Sequence, residues 1–462
     1  MNPTYDMPKN YYFGGGSQES FLTPWAAAVL CLAIVLIFLA PRRSVIIPLV
    51  TASVLLPFDI IIVVLGFHLF ALRILLLAGC LRLALRGDFH TPRMNSIDKT
   101  VLLWALCNAI VFSILWGTMG AVNNRLGFLW TNLGAYFLVR FLIRDKSDVV
   151  CVIRVLAILM AIIAPLMLIE RFTRHNVFSI VGAPLLSAIR DGNTRAEGPF
   201  GHPIIAGTIA GMLLPLFIGL WWQGRRHRKI LAMGAVASIC VMIASSSSTP
   251  FVTGAAGVFA LALWSYRNQL RAFRRAFVLA IVGLQLAMKA PVWFLIARTG
   301  GAIGGSGYHR AMLIDNFVRH FDQWWLIGTR NNPSWGFDMW DVDNAFVAAA
   351  FGGGLITLLA LIAVLVCAFK RIGESRRLAG LSVNDERLVW AIGASLFANT
   401  VGFFGIVYFD QSILLWYCLL AMISATAMFD VSGKELAARH TRPRAAMIEK
   451  LVPAAAWYEI QR

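Results

Sequence analysis

AFVAAAFGGGLITLLALIAVLVCAF, residues 345–369, holds no charged side chain and exceeds the ~20 residues that a helix needs to cross the hydrocarbon of a bilayer. Asp338, Asp341, Asp343 and Asn344 stand before it, and Lys370 and Arg371 follow it. Outward from this run, apolar segments recur at 21–40, 44–56, 60–85, 100–118, 126–143, 149–169, 204–222, 230–244, 251–266, 277–297, 388–408 and 412–429. That makes about thirteen, of which the second is short for a full crossing. With 59% hydrophobic and 14% charged residues, the chain has too little polar surface to cover a soluble globule. The reading is an all-α, polytopic integral membrane protein with about 12–13 transmembrane helices and two large external loops, 170–203 and 298–344.

Orientation follows from charge. Arg42 and Arg43; Arg86, Arg93 and Lys99; Arg144 and Lys146; Arg225, Arg226, Arg228 and Lys229; Arg267, Arg271, Arg274 and Arg275; and Lys370, Arg371, Arg376, Arg377 and Arg387 all fall on one side. Arg125 is nearly alone in the short loops opposite. Loops rich in Lys and Arg stay in the cytoplasm, so the two long loops face out. Residues 1–20 are then an external N-terminal segment, 21–429 the membrane domain and 430–462 a cytoplasmic tail. The net charge of +18 would point to nucleic acid in a soluble chain. Here it orients helices and meets anionic lipid, so membrane lipids are expected partners and nucleic acid is not. All seven cysteines lie inside apolar segments without metal-type spacing, so neither disulfides nor zinc are expected. Asp6, Lys9 and Glu19 precede the first segment in place of a basic run, which reads as a retained helix and not a cleaved signal. No internal repeat is visible, which weakens a carrier reading.

Candidate chemistry concentrates in the two long loops. In the first, Arg190 and Arg195 precede Glu197, Gly198, Pro199, Phe200, Gly201, His202 and Pro203, where the next helix begins. Gly and Pro enforce a turn that lays an Arg and backbone N–H groups beside a helix N-terminus, a seat for phosphate oxygens. The alternatives are an Arg snorkelling to headgroups and a His that only caps its helix. A Ser-rich turn, Ser245 to Ser248 with Thr249 and Pro250, lies on the same side. Its Ser247 either lines a polar cavity or belongs to a plain interhelical turn.

In the second loop, a glycine cluster (Gly300, Gly301, Gly304, Gly305, Gly307) leads into a helical pattern over 308–321. Leu313, Ile314, Phe317, Val318 and Phe321 fall on one face, and His309, Asp315, Asn316, Arg319 and His320 on the other, as expected of a helix lying along the membrane surface. Arg310 shares the apolar face, where a guanidinium needs a lipid phosphate or a carboxylate partner. Trp324, Trp325, Trp335 and Trp340 surround Gly328, Thr329 and Arg330, either as an interfacial belt or as stacking faces for sugar rings. Asp343 and Asn344 enter the 345–369 helix, and Gly352, Gly353 and Gly354 are expected to allow close helix packing. A carboxylate there is a candidate general base, with helix capping as the simpler role.

The external Arg195-x-x-Gly198…His202-Pro203 entering a helix, the Ser-rich turn one hairpin later, and the late loop ending in a polar-Asn pair resemble the O-antigen ligase and O-antigen polymerase superfamily, over about 126–429. The resemblance implies a metal-independent glycosyltransferase of the bacterial inner membrane. It takes a glycan from a polyprenyl diphosphate carrier and passes it to an acceptor glycan, without a cofactor, among other polysaccharide assembly proteins. It implies loop arginines on the diphosphate, with Arg195, Arg190, Arg310, Arg319, His309, Ser247 and Trp325 as substrate-binding candidates. Asp343, Asn344 and His202 are the catalytic candidates. Two departures stand out: the family's late His-Asn pair is Asp343-Asn344 here, and Thr249 and Pro250 stand where ligases place an Arg. They favour a polymerase-like member acting on an O-antigen or exopolysaccharide repeat. Two other readings stay open: a transporter or flippase of lipid-linked glycans, for which Arg73 and Lys289 are the clear intramembrane charges, and a non-catalytic subunit of an assembly complex.

Overall fold

The computed structural model describes residues 20–429, apart from 59, 65–66, 88–93, 191, 225–227, 299–306, 379–380 and 410. The expectations for the N-terminal segment before residue 20, for the tail after 429 and for Gly300 to Gly305 lie outside the described residues. The described helices run α1 Pro24–Leu39, α2 Ile46–Leu55, α3 Ala71–Arg86, α4 Ser96–Trp116, α5 Met119–Leu142, α6 Lys146–Thr173, α7 Pro203–Leu220, α8 Arg228–Ala244, α9 Ser248–Ala262, α10 Leu270–Ala287, α11 Val292–Arg298, α12 Gly307–Arg319, α13 Phe321–Trp324, α14 Ala345–Ser375, α15 Val383–Gly402 and α16 Gln411–Ala425. Two small hairpins, β1 (Ile61–Val64) with β2 (Phe67–Phe70) and β3 (Ile189–Arg190) with β4 (Asn193–Thr194), complete them. The protein is an all-α, multi-pass membrane protein. Six described helices are long and apolar enough to cross a membrane, and α10 with α11 makes a seventh if the pair is one span. The other expected segments are shorter or more polar.

Every residue of α7 except Ile218 is buried, so this helix, apolar all round, is the axis of the bundle. Around it, α8, α9 and α15 pack on α7, α6 packs along α8, and α14 packs along α4. Loops sort to two ends. At one, Arg42 pairs with Asp148 at 3.1 Å, Lys146 with Asp385, and Glu386 takes both Arg376 at 2.9 Å and Arg267 at 3.4 Å. At the other, Ala196 N–H donates to Ala244 O at 3.1 Å and Ala345 N–H to Phe403 O at 2.8 Å, joining the two long loops to the ends of α8 and α15.

Four expectations need correction. Residues 60–85 are not one helix. Within the β-branched run Ile60 to Val64, Ile61–Val64 forms a strand, which Phe21 extends by exchanging backbone hydrogen bonds of 2.8 and 3.1 Å with Ile61, and only Ala71–Arg86 is helical. Residues 277–297 are not a straight span either, because Pro291 cannot continue α10, and α11 leaves at 96°. The 308–321 helix turns only part of its polar face outward, with Arg319 exposed. Asp315 and Asn316 are buried while Val318 and Phe321 are exposed, because Asp315 accepts from Trp293 Nε1 at 3.2 Å and from Arg319 Nε at 2.6 Å.

The last correction concerns Gly352 to Gly354. A Cβ on Gly352 would stand 3.6 Å from Phe112 of α4, an ordinary contact, but Gly353 and Gly354 leave helical geometry and kink α14. The second loop plugs the break: Thr329 N–H donates to Phe351 O at 3.0 Å and Leu355 N–H to Trp325 O at 2.8 Å, so the freed backbone groups are satisfied by protein. Gly354 adopts φ +67°, and a Cβ there would stand 2.5 Å from Leu326 O.

Candidate functional site

The first loop is held from below by a buried carboxylate. Glu170, on the last turn but one of α6 and fully buried, accepts from Glu197 N–H at 2.8 Å and Ser187 Oγ at 2.7 Å on Oε1, and from Gly198 N–H at 2.9 Å on Oε2. The Asn176 amide donates to Gly198 O at 2.8 Å. Gln411, at the start of α16, donates to both Pro199 O at 2.7 Å and Leu56 O at 3.0 Å. Three side chains from separate elements thus fix the 197–199 turn between Arg195 and the N-terminus of α7. There His202 caps the helix, its Nδ1 accepting from Ile204 N–H at 3.2 Å.

The second loop brings an ion pair over this turn. Arg310 Nε donates to Asp343 Oδ2 at 2.8 Å and Arg310 Nη2 to Gly405 O at 3.2 Å, which supplies the carboxylate that its apolar position demanded. Both side chains are about nine-tenths buried, with 7% and 10% exposure. Asp343 Oδ1 is buried without a hydrogen-bond partner among the described residues. Burial raises the Asp343 carboxyl above its ordinary 3.8, outweighing the downward pull of Arg310 and His309. Burial, with Arg195 and then Arg310 nearby, pushes the His202 imidazole from 6.5 down to about 4, so it is neutral at pH 7.

The structure therefore brings Arg195, His202, Arg310 and Asp343 together from both loops. Asn344 adjoins them, but its Oδ1 caps α14 through Phe346 N–H at 3.0 Å and Val347 N–H at 3.3 Å. His309 Nε2 lies 3.1 Å from Asp341 O, at the edge of the cluster. The other four candidates stand apart. Arg190 is exposed on β3, Arg319 pairs with Asp315 on the open side of α12, and Trp325 is exposed beside Phe321. Ser247 is buried at the first turn of α9 without a capping bond. Thr249 is the member of the Ser-rich turn that reaches the site: a Cβ on Gly405 would lie 2.8 Å from Thr249 Oγ1 and 3.3 Å from Arg310 Nε. Its Oγ1 is buried with no hydrogen-bond partner among the described residues.

Among the described residues, His309, Asp338 and Asp341 can present one metal-ligand atom each within 4.8 Å of one another, at the exposed rim of the same loop. Glu170 and Gln411 support the site without having been candidates in the sequence, and Thr249 was noted there only as part of the Ser-rich turn. Two guanidinium groups, a helix N-terminus and a raised carboxyl together can hold a polyanion and accept a proton. No family model matches the chain, and no curated protein matches it.

Proposed function

We propose that the protein is a membrane glycosyltransferase of polysaccharide assembly that polymerises or ligates glycan carried on a polyprenyl diphosphate. It would work in the bacterial inner membrane with its two long loops on the external side and its C-terminus in the cytoplasm. One observation supports this above the others: Arg195 and Arg310, from loops far apart in sequence, both act electrostatically on His202 at the α7 N-terminus, and Arg310 pairs with a buried carboxylate whose Oδ1 has no hydrogen-bond partner among the described residues.

In this reading the arginines hold the diphosphate and offset the charge that grows as it leaves. The acceptor hydroxyl oxygen forms a bond to the anomeric carbon and the C–O bond to the diphosphate breaks, its electron pair going to the phosphate. The hydroxyl proton passes to Asp343 Oδ1, and inversion at the anomeric carbon follows from the single displacement. His202, neutral and capping α7, can donate from Nε2 but is a poor proton acceptor at pH 7. Two departures from the ligase pattern, Asp343 in place of an imidazole and Thr249 and Pro250 in place of an Arg, favour a polymerase-like member.

The test is reconstitution: purified protein in bilayer nanodiscs with a defined polyprenyl diphosphate-linked oligosaccharide. Appearance of longer glycan with stoichiometric release of polyprenyl diphosphate is expected. Translocation of intact donor across a sealed vesicle without chain growth would replace this reading with the transporter.

A further inference from the structure

Glu170 is a buried carboxylate that belongs to no expected role. It sits near the C-terminal end of α6, fully buried, and its carboxylate accepts from one hydroxyl and two backbone amides of the loop above it. A carboxylate that accepts hydrogen bonds from consecutive N–H groups sets where that stretch of backbone sits, much as a side chain caps a helix. The residues it grips, Glu197 and Gly198, begin two positions after Arg195, and the same turn runs on to His202. Gly198 has φ +60°, and a Cβ there would press within 2.9 Å of Met167 Cγ, so the turn is pinned against α6 itself. Asn176 and Gln411 hold the carbonyls of Gly198 and Pro199, the acceptor side of the same peptide units.

Resting on the reading of Arg195 as a diphosphate ligand, we infer that Glu170 is a positioning residue that fixes the register of the 195–203 turn, so that the Arg195 guanidinium meets the diphosphate beside Arg310. Glu170 touches no substrate; it acts through Arg195. Replacing it with Gln keeps size and one acceptor oxygen but turns an N–H toward a backbone N–H, which loosens the turn without emptying the space.

The experiment is a double-mutant cycle read by binding of farnesyl diphosphate to the full-length protein in nanodiscs, with melting temperature measured in parallel. Glu170→Gln should weaken binding about tenfold in the wild-type background and have almost no effect in Arg195→Ala, because a residue acting through Arg195 loses its leverage once the guanidinium is gone. Equal losses in the two backgrounds overturn the inference and leave Glu170 a purely structural group. Should Glu170→Gln fail to fold, Gln411→Met, which removes the tethers at Pro199 and Leu56 and leaves Glu170 in place, gives the same cycle on the same turn with the same two outcomes. No binding by the wild type would overturn the diphosphate reading, and this inference with it; binding with additive losses overturns only the inference.

Discussion

At the scale of single residues, the proposed site divides between groups that would hold a diphosphate and one that would accept a proton. Asp343→Asn keeps the size of the side chain and leaves Arg195 and Arg310 in place, so glycan transfer should stop while farnesyl diphosphate still binds within about threefold. Asp343→His should retain more transfer than Asp343→Asn, because it supplies a base with an unperturbed pKa of ~6.5. Transfer by Asp343→Asn at the wild-type rate would leave the carboxylate only its ion pair. Arg195→Ala, by contrast, should bind more weakly as well as lose roughly thirty- to a thousandfold in rate, with little recovery by Lys, which lacks the planar fork. His202 makes a separate statement about pH. Its folded value of about 4 lies below the ordinary 6.5, so between those values the unfolded chain binds the extra proton. The stabilisation is full above pH 6.5 and is lost as pH falls toward 4. Melting temperatures measured from pH 7 to 4.5 should fall less steeply in His202→Asn, which keeps a capping side chain; parallel slopes would disprove the assignment. Arg310 was legible in the sequence because a guanidinium on an apolar helical face requires an anion, and Asp343 is that anion. Glu170 was not legible, since its principal partners are backbone amides of a later loop and no side-chain pattern encodes them.

At the scale of elements, hydropathy located the apolar segments and misjudged their interruptions. The strand over Ile61–Val64 and the bend after α10 both lie inside runs whose mean apolarity matches a helix, and only the β-branched side chains and Pro291 distinguish them. The break in α14 was misread for another reason: three successive glycines permit either close packing or a kink, and the choice is made by a loop distant in sequence. Two glycines meet there. Gly328 has φ +88° and would put a Cβ 2.1 Å from Phe351 O, while Gly354 has φ +67° and faces Leu326 O. Either Gly→Ala change adds about 1–3 kcal/mol of backbone strain and forces the loop off the break. Hydrogen exchange at the Thr329 and Leu355 amides should then rise by at least tenfold in Gly354→Ala, with α7 amides unaffected. Unchanged protection at both would mean that the loop and the kink are independent.

At the scale of the whole molecule, the partition of loops into a basic end and an end bearing the two long loops was legible from charge alone. Ion pairs such as Arg42–Asp148 and Arg376–Glu386 at one end, and Arg310–Asp343 at the other, follow the same division. Which end faces out is tested directly. Cysteines at Asn193 and Ser334 should react with an impermeant thiol reagent in intact cells, and one at Gly224 should not. Labelling at Gly224 alone would invert the protein and move the site to the cytoplasm. The enclosed axis and the standing-off α10 also predict different mutational tolerance. Because α7 touches protein almost everywhere, its positions are constrained by volume, and an Ile→Val there removes a methylene that neighbours cannot refill, at ~0.5–1.5 kcal/mol. No residue of α10 is buried, so its positions are constrained by solvent chemistry: any apolar side chain serves and a charge in its middle does not. In a saturation scan α7 and the apolar half of α10 that follows Arg275 would draw opposite profiles, one intolerant of size and the other of polarity.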